Sequence, residues 1–224
     1  MECLAKLGVW MDRVKRPGPE AMAVDEWLLE TATEPLLRVY EWDGDWASVG
    51  YFGKICEARM ALSGVNWVRR WTGGGMVDHR ADWTYTLVLP HPEPLANARG
   101  AESYRCIHTA LAAAMAAEGR DVHLSGGDGE TGAALCFENP VHHDLVGADG
   151  RKLAGAGQRR TRHGLLHQGS AAMSCDAAVS QIRAERLAGL LAKCWEPRFI
   201  TIDEEKIGRS VAARYVRESW TEKR

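Results

Sequence analysis

The sequence predicts an α+β fold, a central mixed β-sheet flanked by helices, and three observations carry that reading. Helical and strand-like segments alternate along all 224 residues, with no internal repeat, low-complexity tract or linker between them. Strand-like segments precede and follow helices without strict βαβ order, which disfavours a doubly wound parallel sheet. The composition is 46% hydrophobic and 26% charged, ordinary for a globular chain long enough to bury a substantial core.

The elements follow in order. Residues 19–31 (PEAMAVDEWLLET) read as a helix, with proline at the start, acids behind it, and Met22, Trp27, Leu28 and Leu29 able to share a face. Residues 36–42 and 47–52 read as strands separated by the turn Asp43-Gly44-Asp45. A short helix over 54–62 and strands over 67–71 and 83–89 come next. The alanine-rich stretch 100–118 is the clearest helix, and Gly119 suits its stop. A glycine-rich loop, SGGDGETGAA, leads to short strands at 135–137, 143–146 and 152–156, and to another over 165–173. Helices over 177–192 and 203–220 close the chain, joined by a strand at 198–202.

Several function classes are disfavoured at once. The charge is nearly balanced, with 28 basic and 30 acidic residues, so strong non-specific attraction to nucleic acid or anionic membrane is not implied. No apolar run approaches the ~20 residues a membrane-spanning helix needs. The first residues, MECLAKLGVWMDRVKR, carry Glu2, Lys6 and Asp12 and make a poor signal peptide. The expectation is a cytoplasmic protein. Its six cysteines are scattered without a CxxC pair, so most are expected as free thiols and no metal site is expected. Nine tryptophans read first as packing, and second as the lining of a tunnel for an aliphatic chain.

Two segments concentrate chemistry. In VRRWTGGGMVDHRADWTY (68–85), Gly73, Gly74 and Gly75 follow a strand, so backbone can approach a ligand closely and offer its N–H groups. Arg69, Arg70 and His79 flank the run, which is neither a Walker loop nor GxGxxG; a wide hairpin turn is the competing reading. In ALCFENPVHHDLVGADGRKLAGAGQRRTRHGLLHQGS (134–170), Asp149-Gly150 is a good hairpin turn that places Lys152 at the start of the returning strand. Ala154, Gly155, Ala156 and Gly157 are small, so something packs close to that backbone. Lys152 could meet an acyl carbonyl or a phosphate, or be a solvated surface charge. Cys136 is either a small buried hydrophobe or, beside a cation, a nucleophile. Arg159, Arg160 and Arg162 could dock an acidic partner.

Taken together, AMAVDEWLL (21–29), RVYEWDGDWASVGYF (38–52), VRRWTGGGMVDH (68–79), CFENPVHHDLV (136–146), GRKLAGAGQRR (150–160) and ARYVRESW (213–220) resemble, in order, the lipoate–protein ligase and octanoyltransferase family. The resemblance implies one catalytic domain over 1–224, of the biotin/lipoate ligase type. It places the family's K-[LIV]-x-G-x-[AG]-Q lysine on Lys152. In single-domain bacterial octanoyltransferases an acyl-carrying cysteine stands in a CFxxP context, which Cys136 shares with Phe137 and Pro140. The resemblance assigns Arg70, Gly73, Gly74, Gly75, His79, Gly155, Ala156 and His167 to acyl or nucleotide binding.

Three functions follow. The first is transfer of an octanoyl or lipoyl group from an acyl carrier protein to a lysine of a lipoyl-domain protein, such as a glycine-cleavage H-type protein. It runs through a Cys136 acyl-enzyme supported by Lys152 and needs no cofactor. The second is an ATP-dependent lipoate–protein ligase working through lipoyl-AMP with ATP and Mg, in which Cys136 only packs. The third is a non-catalytic binding module. No nucleic-acid or membrane partner is expected, and a monomer is.

Overall fold

The computed structural model describes residues 3–127 and 141–223. The elements in chain order are β1 (Leu4–Arg16), α1 (Gly18–Thr31), β2 (Leu36–Trp42), β3 (Trp46–Val49), α2 (Ile55–Ala61), β4 (Asn66–Arg69), β5 (Met76–Asp78), β6 (Trp83–Pro90), α3 (Pro94–Asn97) and α4 (Gly100–Ala116). They continue as β7 (Val122–Leu124), β8 (Leu145–Gly147), β9 (Lys152–Thr161), β10 (Gly164–Ala171), α5 (Ala177–Leu191), β11 (Ala192–Pro197), α6 (Glu204–Ser210), a π-helical turn (Val211–Tyr215) and α7 (Glu218–Thr221).

Eight strands form the main sheet in the order β11-β1-β2-β6-β10-β9-β8-β7, and β4-β3-β5 form a small second sheet. β1 runs parallel to both β11 and β2, while β2 to β6, β6 to β10, β10 to β9, β9 to β8 and β8 to β7 are antiparallel. The sheet is therefore mixed, as predicted.

Side chains alternate across a strand, so each strand feeds two cores. Trp83, Tyr85, Leu87 and Leu89 of β6 join α4 and α5 in one cluster, whereas Val88 joins α1 in the other. α1 buries Ala21, Val24, Asp25 and Leu28, α4 buries Ile107, Ala110, Leu111 and Ala114, and both sets have the i, i+3, i+4, i+7 spacing of one helical face. Each fully buried leucine of this kind contributes roughly 1.5–3 kcal/mol. Asp176 starts α5 by accepting the N–H groups of Ala178 and Val179.

The structure departs from the sequence reading in definite places. β1 was not expected, because its stretch 7–10 is continuously buried and lacks clean polar alternation. Short β5 and β7 were also missed. The strand expected at 198–202 lies instead at Ala192–Pro197, directly after α5, where it pairs with β1 from Leu4↔Ala192 onward. The expected helix over 203–220 is broken by the π-helical turn. Its second half bends so that Trp220 Nε1 reaches the Arg69 carbonyl at 3.0 Å and Tyr215 Oη reaches Glu26 at 2.8 Å. The strand expected at 135–137 lies outside the described residues. Cys56, Cys175 and Cys194 are free thiols. Cys3 and Cys106 are instead disulfide-bonded, tying the start of β1 to α4 across 103 residues, a separation that leaves no local sign in the sequence. Among the described residues no helix is long and apolar enough to cross a membrane.

Candidate active site

The strand register builds the site. On the face turned to α1, Gly155, Ser170, Thr84 and Tyr40 are aligned across β9, β10, β6 and β2, and Gly157, Gln168, Thr86 and Arg38 form the next row. Polar residues thus pave a face that would otherwise be core. A narrow cleft of about 30 Å³ lies over this floor, enough for one or two waters. Met22, Trp42, Val77, His79, Arg70 and Gly74 wall it, and Gly155, Ala156 and Gly157 edge it. Trp42 is the one tryptophan of the described residues at this cleft; the others pack elsewhere.

Gly155 and Gly157 are glycines for different neighbours. A Cβ on Gly155 would lie 2.3 Å from Lys152 Cε, and one on Gly157 would lie 2.4 Å from the Gly73 carbonyl oxygen. Lys152 and the glycine loop therefore press on the same face of β9, two residues apart. Gly50 plays the matching role on β3's side, where a Cβ would overlap the Gly74 oxygen, and Gly74 itself has φ +97°. The loop is also tied down by Gly50 N–H to Gly75 O at 3.2 Å and Tyr51 N–H to Thr72 O at 2.8 Å.

Lys152 is not a surface charge. It is buried, and its Nζ lies 2.7 Å from Asp144 Oδ2. Asp144 accepts Tyr104 Oη–H at 2.5 Å on its other oxygen and the Val141 N–H at 2.8 Å. Tyr104 Oη in turn accepts the Ala156 N–H at 2.8 Å. Burial, then the Asp144 charge, holds the Tyr104 phenol well above its usual pKa, so it stays a donor.

Arg70 and Arg69 are both turned onto protein atoms. Arg70 Nη1 donates to Ser48 Oγ at 2.6 Å, and Nη2 donates to the Gly73 and Gly75 carbonyls at 3.2 and 2.9 Å. Arg69 donates to the carbonyls of Gly50, Gly53, Trp220, Thr221 and Lys223, clamping the end of α7 to the loop before α2. His79 lies between Ser48 Oγ (2.6 Å) and Asp82 Oδ2 (2.8 Å) and is stacked on Trp42. Gln168 spans the floor: its Nε2 donates to Asp25 Oδ2 at 2.7 Å, and its Oε1 accepts Thr72 Oγ at 2.7 Å. Asp25 shares the fully buried Arg38 with Asp12.

A profile of the lipoyl protein ligase A/B catalytic domain matches residues 17–207. The chain belongs to that family. Octanoyltransferase LipM of Symbiobacterium thermophilum is 34% identical over 233 residues, covering 96% of this chain and 81% of that protein. Octanoyltransferase LipM of Moorella thermoacetica is 33% identical over 216 residues, covering 88% and 78%. Among solved structures, a lipoate-protein ligase A bound with ATP superposes with a TM-score of 0.71 at 18% identity, covering 99% of both chains. A bi-partite lipoate protein ligase from Thermoplasma acidophilum gives 0.69 at 17%, covering 97% and 96%. These two likenesses concern the fold alone.

Within this A/B catalytic domain, Arg70, Gly74, His79, Gly155 and Ala156 line the cleft, Gly73 and Gly75 hold its loop, and Lys152 stands beside it. His167 does not line it. Alternation turns His167 to the opposite face, under α4, where it meets Tyr85 Oη at 3.2 Å and Gln158 Nε2 at 3.1 Å. Burial, with His108 and Arg160 nearby, pushes its pKa well below the usual histidine range, so it is neutral. Its neighbour Gln168 takes the cleft position. Cys136 lies outside the described residues. Ser48, Asp82, Tyr104 and Asp144 were missed by the sequence reading, since each acts through a partner at least three residues away and often on another element.

Proposed function

We propose that the protein moves an octanoyl group from an acyl-carrier thioester to a lysine of a lipoyl-domain protein, through a Cys136 acyl-enzyme, as part of protein lipoylation. The observation that carries this reading is the buried Lys152–Asp144 pair set against Gly155 at the edge of the cleft, in a chain whose relatives are octanoyltransferases. The Cys136 thiolate attacks the thioester carbonyl carbon. A new carbon–sulfur bond forms, and the carrier leaves as its thiolate. Lys152 favours the attacking thiolate and the oxyanion that develops on the carbonyl oxygen. The acceptor lysine, after losing a proton to a local base or water, attacks the acyl-enzyme; the amide forms and Cys136 leaves as thiolate. The acyl chain extends over the floor of Ser170 and Thr84, and Met22 and the glycine loop must shift to admit it.

The reading takes residues 1–224 as one catalytic domain acting as a cytoplasmic monomer, with an acyl carrier protein as donor and an H-type or related lipoyl domain as acceptor. It uses no cofactor. The ATP-dependent ligase reading is weaker, because the arginine it needs for phosphate, Arg70, is engaged by Ser48 and the loop carbonyls. One experiment decides between them. Cys136→Ala is expected to lose octanoyl transfer from the carrier, with no transfer of lipoate in the presence of ATP and Mg by either protein. Octanoyl transfer surviving in the variant overturns the acyl-enzyme.

A further inference from the structure

Ser48, His79 and Asp82 stand in the geometry of a nucleophile, a base and its orienting acid, with Ser48 Oγ 2.6 Å from His79 Nε2 and His79 Nδ1 2.8 Å from Asp82 Oδ2. Such a set activates a serine whose hydroxyl faces substrate. This one faces inward. Ser48 has no exposed surface, and its oxygen accepts Arg70 Nη1 at 2.6 Å. Its burial and its guanidinium partner make it a transmitter and not a nucleophile.

The proton order follows from the acceptors. His79 Nδ1 lies against Asp82 Oδ2, and in the tautomer that carries its hydrogen on Nδ1 the Nε2 lone pair faces Ser48 Oγ. Ser48 gives its hydrogen to that nitrogen, which turns its lone pairs toward Arg70. The far side of Arg70 donates to the Gly73 and Gly75 carbonyls. Three glycines in a row have no side chains to hold their own shape. Asp82 also accepts Ser170 Oγ and Thr84 Oγ, both on the cleft floor.

We infer that Ser48 and Asp82 are positioning residues: the buried relay Asp82–His79–Ser48 orients Arg70, and Arg70 holds the glycine loop in the shape that walls the acyl cleft. The relay couples that loop to the floor beneath it. The inference rests on the acyl-transfer reading only for what the cleft receives.

The test uses the full chain with Ser48→Ala, Ser48→Thr and Asp82→Asn. Two things are read: amide hydrogen exchange over Gly73–Met76, and KM and kcat with octanoyl-carrier protein. Removing the hydroxyl breaks one charge-assisted hydrogen bond, so loop exchange in Ser48→Ala is expected to rise about tenfold and KM by a similar factor, with kcat falling less. Ser48→Thr keeps the hydroxyl and restores both. Asp82→Asn keeps an acceptor oxygen without the charge and gives a smaller rise. Unchanged loop exchange in Ser48→Ala overturns the relay, as does Ser48→Thr matching Ser48→Ala in a protein that melts like the wild type. Should Ser48→Ala not fold, loop exchange in Asp82→Asn decides alone, and wild-type exchange there overturns the relay. A wild type that transfers no octanoyl group sinks the acyl-transfer reading, while the exchange measurement still decides the relay.

Discussion

The two faces of β6 and β10 are made from the same stretches of chain and do opposite work. Toward α4 and α5, β6 presents Trp83, Tyr85, Leu87 and Leu89, a packed apolar layer. Toward α1, the alternate positions of the same two strands present Thr84, Thr86, Gln168 and Ser170, each hydrogen-bonded. Polar groups in a buried place cost about 1–3 kcal/mol apiece when left unpaired, so that face is stable only because its network is complete. The difference teaches where tolerance lies. The apolar face answers to volume, and the polar face answers to pairing.

The largest test of that contrast is Lys152→Met. It should reduce octanoyl transfer by about 10²–10³-fold, the range for losing one oxyanion donor. It also leaves Asp144 buried without its cation, a loss of about 3–5 kcal/mol. Adding Asp144→Asn is expected to recover stability in urea unfolding without recovering transfer, which separates pairing from chemistry. On the apolar face, Leu87→Ala should cost about 2–5 kcal/mol in the same measurement while KM for the acyl donor stays unchanged. A raised KM there would mean that the faces are not independent.

Acid sharpens the contrast next. Burial pushes the His108 pKa down to about 4. Its folded value lies below its unfolded value of about 6.5, so the unfolded chain takes the proton first. Stability from this group is complete above about pH 6.5 and falls as pH drops toward 4, by about 3 kcal/mol in all. His108→Asn keeps a donor for the His143 carbonyl and should flatten that acid limb in melting curves taken from pH 7 to 4. The smallest effect is expected from Gly157→Ala, where the new methyl meets the Gly73 carbonyl. A loss of about 1–3 kcal/mol is expected, with KM rising more than stability alone explains. Wild-type KM in that variant would show that the loop moves away freely.

What could be read from the chain was what the chain encodes locally. The helices α1, α4 and α5 announce themselves by composition and spacing, and β2 and β6 by their residues. Lys152, Gly155 and the glycine run were recognisable as close-packed backbone beside a cation. The partners were not, because Asp144 meets Tyr104 from 40 residues away and Ser48 meets His79 from 31. His167 was assigned to the site and Gln168 was not, since the sequence names adjacent residues without saying which face of β10 each takes. The segment 192–202 was misplaced by one element for a similar reason: whether Ala192–Pro197 is a strand depends on β1, near the other end of the chain.

That last pairing bears on how the molecule is made. β1 is synthesised well before β11, and one of its edges is matched by β2 soon after. Its other edge, at Leu4–Val9, stays open until Ala192–Pro197 has been synthesised. Contacts so distant in sequence form late. A nascent chain stopped anywhere in between carries an unpaired strand bearing Leu4, Leu7 and Val9, an invitation to pair with a neighbour. Yield in cells should therefore depend on translation proceeding quickly and without pause to β11.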